Sequence, residues 1–254
     1  MTNNMKFGLI GHPIGHSLSP ALFKAGYDGK YTYDLIETPD FEEAYARFLA
    51  EYDGINVTAP FKELAIRKAD ILSEECQAIG ATNLLVKTPE GIKAYNSDYL
   101  GLRLWIKTVS DGQIPRVLIV GLGGAGKAAA AAARSLGCEV ILMNRTQYSE
   151  EIRPLSEFRE AFKAADIVIY NLPVRLPELG QLDSTDFMAG RSKHILEANY
   201  RNPSFGKDLI QKLKGIHPDM EYTPGETWLL LQALTGYEIF TGEKPDLEKM
   251  AAHL

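Results

Sequence analysis

Six residues near the middle of the chain, Gly121-Leu122-Gly123-Gly124-Ala125-Gly126, have the types and spacing to hold an anionic cofactor. Gly121 can take a tight turn, Gly123 has no Cβ to keep the backbone from a pyrophosphate, and Gly126 lets the following helix pack close on its strand. Gly124 and Ala125 stand where free N–H groups at a helix start, with the positive end of its dipole, favour an anion. A rival motif shares these residues. Gly121, Gly126 and Lys127 fit the first seven places of G-x-x-x-x-G-K-[ST], but the eighth is Ala128, which has no hydroxyl for magnesium. That disfavours a phosphate-loop hydrolase. The residues some 20 positions on choose between dinucleotides, because an acidic residue there usually meets a free ribose 2′-hydroxyl. This chain has Asn144-Arg145-Thr146 instead. A guanidinium and a hydroxyl suit a 2′-phosphate, so NADP is preferred over NAD.

These residues need a strand, a helix and a second strand to position them. Val117 to Val120 reads as a buried strand, Lys127 to Leu136 as an alanine-rich helix stopped by Gly137, and Glu139 to Met143 as the second strand. The order is that of a dinucleotide-binding βαβ unit. Because it begins near the middle of 254 residues, two domains are expected. A composition 45% hydrophobic can bury a substantial core, and a net charge of −6 offers no basic face for nucleic acid. Cys76 and Cys138 read as reduced core residues. No apolar run is long enough to span a bilayer and Met1-Thr2-Asn3-Asn4 begins no signal peptide, so a soluble cytoplasmic protein is expected. His12 and His16 are spaced as a metal pair, but their loop has no third Cys, Asp or Glu ligand, and no metal is assigned.

The first half alternates strands and helices. Lys6 to Ile10 predicts a strand, Ser19-Pro20 to Ala25 a helix capped by Ser19, Tyr31 to Glu37 a strand and Phe41 to Tyr52 a helix. Gly54 to Val57 predicts a strand, and a helix is expected from Thr58 to Ala69. A short helix follows at Glu74 to Ala78, then a hairpin of Thr82 to Lys87 with Ile92 to Tyr95, then a helix from Tyr99 to Val109. In the second half, Ile167 to Tyr170 and His194 to Ala198 predict strands and Leu172 to Leu182 an irregular stretch. Lys207 to Leu213, an amphipathic Trp228 to Phe240, and Asp246 to His253 predict helices. The fold class expected is α/β with two domains, 1–101 plus 226–254 and 102–225. The second is a Rossmann-type domain, and the C-terminal helices return to the first.

Four blocks ahead of the glycine loop carry more specific information. They are Gly11-His12-Pro13-Ile14-Gly15-His16-Ser17-Leu18-Ser19-Pro20, Asn56-Val57-Thr58-Ala59-Pro60-Phe61-Lys62-Glu63, Gly80-Ala81-Thr82-Asn83 and Asn96-Ser97-Asp98-Tyr99-Leu100-Gly101. In that order, before an NADP motif, they resemble the shikimate/quinate dehydrogenase family over nearly the whole chain. The resemblance implies NADPH-dependent reversible reduction of 3-dehydroshikimate to shikimate, in aromatic amino-acid biosynthesis, by a monomer or homodimer. It implies that Lys62 and Asp98 are the catalytic pair. A lysine beside a carboxylate can hold a substrate hydroxyl and pass its proton either way. Ser17 and Ser19, with Tyr200, resemble the donors to the substrate carboxylate, and Thr58, Asn83, Asp98 and Gln232 those to the ring hydroxyls. Gly225 matches a glycine near the nicotinamide end of NADP, beside the cofactor residues Gly121, Gly123, Gly124, Ala125, Gly126, Asn144, Arg145 and Thr146.

For several of these residues a plain structural role is available. Lys62 could be a solvated first-turn lysine, Asp98 or Ser19 a helix cap, and Gln232 a polar point on a core helix. The chain also departs from the family pattern. Phe23 and Lys24 stand near its His-Asn, Leu172-Pro173-Val174-Arg175 follows Asn171, Glu197-Ala198-Asn199-Tyr200 replaces Asp-x-x-Tyr, and Gln147-Tyr148-Ser149 follows Thr146. The alternatives are a quinate or broad-specificity quinate/shikimate dehydrogenase, and a non-catalytic nucleotide-sensing paralogue. Ser19 favours shikimate by resemblance, since quinate-active members often carry threonine there.

Overall fold

The computed structural model describes residues 5–254, so the reading of Met1 to Asn4 lies outside the described residues. The chain divides into two compact units, Met1–Gly101 with Leu230–Leu254, and Leu102–Leu229.

The first unit holds β1 (Lys6–Gly11), α1 (Ser19–Gly26), β2 (Thr32–Glu37), α2 (Phe41–Glu51), β3 (Gly54–Val57), α3 (Lys62–Ala65), β4 (Ile71–Leu72), α4 (Glu74–Ile79), β5 (Leu84–Thr88) and β6 (Gly91–Tyr95). The helix α5 (Ser97–Val109) starts in it. Its sheet has the order β2-β1-β3-β5-β6-β4. Pairing is parallel across β2, β1 and β3, and antiparallel through β3, β5 and β6. Within the antiparallel part, β5 and β6 form the expected hairpin. One core lies under α2, where Ile10, Ile36, Phe41, Phe48, Ile55 and Leu85 pack together.

The second unit holds β7 (Arg116–Val120), α6 (Gly124–Ser135), β8 (Glu139–Met143), β9 (Ile152–Arg153), α7 (Phe158–Ala164), β10 (Ile167–Tyr170), α8 (Pro177–Gln181), β11 (Lys193–Glu197), α9 (Lys207–Ile216) and β12 (Met220–Thr223). Helix α10 (Gly225–Thr241) begins in this unit, and α11 (Leu247–Ala251) closes the chain. The sheet order is β12-β11-β10-β7-β8-β9 and every pair is parallel. Renumbered from β7, this is the doubly wound order whose direction reverses between β7 and β10, and ligands bind beyond the strand ends at such a reversal. The strands are near-continuous apolar runs because helices cover both faces.

Several local expectations are corrected. Ser19 is the first residue of α1 and its side chain makes no cap bond. The helix expected from Thr58 to Ala69 is shorter, since a turn through Pro60 precedes α3 and the last turn tightens to a 3₁₀ segment at Ile66–Lys68. The stretch from Leu172 to Leu182 contains α8, with Pro177 at its first turn. Helix α10 is not amphipathic, because none of its 17 residues is exposed. Periodicity reports apolar residues gathered on one face, whereas in α10 a run such as Leu229-Leu230-Leu231 carries them around the helix. Four elements were not read from sequence: β4, β9, α7 and β12. Strands of two residues carry no alternation, whereas Phe158, Ala161 and Phe162 did give α7 its helical spacing.

Candidate active and cofactor sites

Lys62 opens α3 and Asp98 lies in the first turn of α5. Their side chains meet at 2.5 Å, Nζ to Oδ2, with 23% of the lysine and 10% of the aspartate side chain exposed. The local frame explains the meeting. Phe61 is buried and anchors the start of α3, its N–H donating to the Thr58 carbonyl at 3.0 Å. The Lys62 carbonyl accepts from the Thr82 N–H at 3.2 Å, which ties α3 to the third block. Gly80 ends α4 with φ of +72°, a left-handed turn that glycine takes without strain.

Asp98 is not the cap of α5. Asn96 is, its Oδ1 accepting from the Tyr99 N–H at 3.1 Å while its Nδ2 donates to the Ala81 carbonyl at 3.2 Å. The Asp98 carboxylate is thereby left for the lysine. A solvated role for Lys62 is excluded by the same contact.

Asn83 and Gln232 also come together. The Asn83 amide donates to Gln232 Oε1 at 3.4 Å and to Ser97 Oγ at 3.0 Å, and its Oδ1 accepts from the Ser97 N–H at 2.7 Å. The approach depends on glycine. A Cβ on Gly101 would stand 2.7 Å from the Gln232 nitrogen, and one on Gly236 would stand 3.2 Å from Ser97 Cβ. Small residues at both points let α10 lie close to α5 and deliver Gln232 to Asn83.

Ser17 and Ser19 form a pair. Ser17 Oγ donates to Ser19 Oγ at 3.1 Å and accepts from the Ser19 N–H at 3.2 Å. Two hydroxyls side by side can both turn to one carboxylate. Thr58 follows β3, its N–H bound to the Ile10 carbonyl at 2.9 Å, and its methyl fills the space beside Gly11.

In the second unit the glycines have the geometry their spacing implies. Gly121 takes φ of +91° at the end of β7, and a Cβ on Gly126 would fall 1.9 Å from the Gly121 carbonyl oxygen. Cβ positions on Gly123 and Gly124 meet nothing within 4 Å, leaving open space at the start of α6 with Ala125 in its first turn. Asn144 straps this loop, accepting from the Leu122 N–H at 3.3 Å and donating to the Thr146 carbonyl at 3.0 Å. Arg145 and Thr146 are exposed, and among the described residues the Arg145 guanidinium makes no ion pair. The loop, the open helix start and the unengaged cation fit a dinucleotide carrying a 2′-phosphate.

Gly225 begins α10 where a Cβ would stand 2.6 Å from the Ala198 carbonyl oxygen, so only glycine fits. Tyr200 is half-buried on the loop after β11, and burial with Glu226 nearby raises its phenol, which keeps it a donor. Glu197 holds that loop. Its fully buried carboxylate accepts from the Ser204 and Phe205 N–H groups and from the Tyr222 hydroxyl at 3.0 Å. Tyr170 holds the stretch after Asn171, its hydroxyl donating to the Val174 carbonyl at 2.7 Å and accepting from the Leu176 N–H at 3.1 Å.

Sequence reasoning missed Asn56, Asn96, Ser97, Tyr33 and Tyr237 as supports. Asn56, Asn96 and Ser97 lay inside the quoted blocks, and Tyr237 follows Gln232 by five residues, but only the packing gives them partners.

Known proteins resemble this chain in sequence and in fold. Residues 9–85 match the shikimate dehydrogenase substrate binding domain, and residues 107–196 match the NAD binding domain of D-isomer specific 2-hydroxyacid dehydrogenases. The chain is 28% identical to shikimate dehydrogenase (NADP(+)) of Carboxydothermus hydrogenoformans, with 96% of this chain and 94% of that protein covered. It is 30% identical to the pentafunctional AROM polypeptide of Scheffersomyces stipitis over 93% of this chain, and spans 17% of that polypeptide's length. A crystal structure of shikimate 5-dehydrogenase from Thermus thermophilus, in complex with NADP(H) and shikimate, superposes with a TM-score of 0.81 at 27% identity, covering 98% of each chain. With one domain match on the Lys62 block, another on the glycine loop, and a solved relative matching in fold from end to end, the chain belongs to the shikimate dehydrogenase family.

Proposed function

We propose that this protein catalyses the NADPH-dependent, reversible reduction of 3-dehydroshikimate to shikimate, an oxidoreductase step of chorismate and aromatic amino-acid biosynthesis. The observation that carries the reading is the Lys62–Asp98 pair at 2.5 Å, partly open to solvent and flanked by Asn83 hydrogen-bonded to Gln232. When bound, the cofactor supplies the hydride that converts the ketone to an alcohol. The chain's own groups manage the rest. Hydride addition leaves negative charge on the ketone oxygen, and the Lys62 ammonium is the donor that can neutralise it. Asp98 holds that nitrogen in place.

Thr58, Asn83, Asp98 and Gln232 supply donors and acceptors for ring hydroxyls, and Ser17, Ser19 and Tyr200 supply donors for the carboxylate. Gly121, Gly123, Gly124, Ala125 and Gly126 would hold the diphosphate, Asn144 fixes their loop, Arg145 and Thr146 would take the 2′-phosphate, and Gly225 would serve the nicotinamide end. The acidic balance of the chain offers no nucleic-acid surface, and no helix among the described residues is long and apolar enough to cross a membrane. We place the enzyme in the cytoplasm as a monomer or homodimer.

The test is a grid of four assays, shikimate or quinate with NADP or NAD, followed by nicotinamide absorbance. Reduction with shikimate and NADP is the expected outcome. Faster turnover of quinate would move the assignment to a quinate dehydrogenase, and no reduction in any well would favour a nucleotide-sensing protein.

A further inference from the structure

Beneath the Ser17–Ser19 pair lies a group of aromatic rings whose hydroxyls the reaction itself does not use. Tyr33 and Tyr237 stack edge to face at 5.8 Å between ring centres, and Phe23 sits 4.8 Å from each of them. Both tyrosine hydroxyls lie within hydrogen-bond reach of the Ser19 side chain, and each also has a partner of its own. Tyr237 donates to the Ser19 backbone carbonyl at 3.1 Å. Tyr33 donates to Asn56 Oδ1 at 2.7 Å, and the Asn56 amide donates in turn to the Asn83 carbonyl at 3.2 Å.

Tyr237 lies on α10, the helix that also carries Gln232. Two proposed substrate-contacting regions, the serine pair on one side and Asn83 with Gln232 on the other, are thus joined through one ring pair, with Tyr237 buried and Tyr33 half-buried. Desolvation raises both phenols above their ordinary value, for Tyr33 with Tyr237 adding to the effect, so both remain neutral donors at any working pH. Tyr237 is 2% exposed, which excludes direct contact with a dissolved ligand by its ring.

We infer that Tyr33 and Tyr237 are positioning residues that set the spacing between the carboxylate-binding serines and the ring-hydroxyl-binding amides, and with it the affinity for a small hydroxylated carboxylate. Tyr237 acts through Ser19, and Tyr33 through both Ser19 and Asn56. The inference rests on the function proposed above.

The variants Tyr33→Phe and Tyr237→Phe keep the rings and remove only the hydroxyls. Each is expected to raise KM for shikimate about fivefold, within the range a single neutral hydrogen bond spans. In both variants kcat, KM for NADP and the thermal midpoint stay at wild-type values. For Tyr237→Phe, affinity for the methyl ester of shikimate, measured by calorimetry on the whole protein, should change less than affinity for shikimate, because the serines then face no charge. An unchanged KM for shikimate in both variants overturns the inference. So does a parallel loss of kcat, NADP affinity and thermal midpoint, which marks a purely structural role. Wild-type protein is assayed first. If it reduces no NADP with shikimate, the functional reading falls and this inference with it, whereas an active wild type with indifferent variants removes the inference alone.

Discussion

At the residue scale the decisive contact is between two charges that the chain could have left in solvent. Lys62 and Asp98 are 36 residues apart in sequence, and their pair is only partly open to solvent. Removing the lysine takes the proton donor from the site. Lys62→Ala is expected to lower kcat about 10²- to 10⁴-fold, the span of a lost acid–base group. NADP affinity, read by fluorescence titration, should stay at the wild-type value, and an equal loss of both would sink the assignment. Arg145 is the corresponding residue for the cofactor. Its guanidinium stands exposed after Asn144, which is itself occupied by the Leu122 N–H and the Thr146 carbonyl. Arg145→Ala should weaken NADP about tenfold or more while leaving NAD nearly unchanged, since only the former loses a charge-assisted contact. A constant NADP-to-NAD ratio in the two KM values would refute the phosphate role.

At the element scale the same logic applies to how helices approach strands. The third glycine of the loop is fixed by contact, since a Cβ on Gly126 would overlap the Gly121 carbonyl oxygen at 1.9 Å. Backbone cannot rotate out of the way as a flexible side chain can. Gly126→Ala should thus cost about 1 to 3 kcal/mol, as overpacking does, and lower the thermal midpoint by several degrees. The matching control is Gly123→Ala, where a Cβ would meet nothing within 4 Å. It should retain stability and lose cofactor affinity. A Gly126→Ala protein as stable as wild type would show that α6 is not held against β7 in this way.

At the scale of the whole molecule, one buried charge far from the catalytic pair in sequence shapes the pH dependence of stability. Lys193 is 3% exposed, and its ammonium donates to the Phe162 carbonyl at 2.6 Å and to the Ala165 carbonyl. The Phe162 ring lies 4.5 Å from the same nitrogen. Desolvation lowers its pKa from 10.5 to about 8 in the folded protein. Between those values the unfolded chain holds a proton that the folded chain has released, so stability rises with pH across that window. The rise from this group amounts to about 3 kcal/mol at most. Urea unfolding of wild type and Lys193→Met at pH 7.5 and pH 9.5 isolates it, because other groups titrate alike in both proteins. The wild type should gain more on going to the higher pH, and identical gains would refute the assignment.

Much of this molecule is legible along the chain. The glycine loop, its flanking strand and helix, and the Asn144-Arg145-Thr146 ending are local patterns, because turns, helix starts and parallel strands are specified by neighbouring residues. The four blocks in the first half likewise name Lys62, Asp98, Asn83 and the serine pair before any folding is considered. Tertiary structure alone decided which of them meet. That Asn96 caps α5 and so leaves Asp98 for Lys62, that Gly101 and Gly236 let Gln232 reach Asn83, and that Tyr237 grips Ser19 across 218 positions are outcomes of packing between distant segments. A residue's type gives its capacity to donate or accept, but its partner is set by which backbone and side-chain groups folding brings within hydrogen-bond reach.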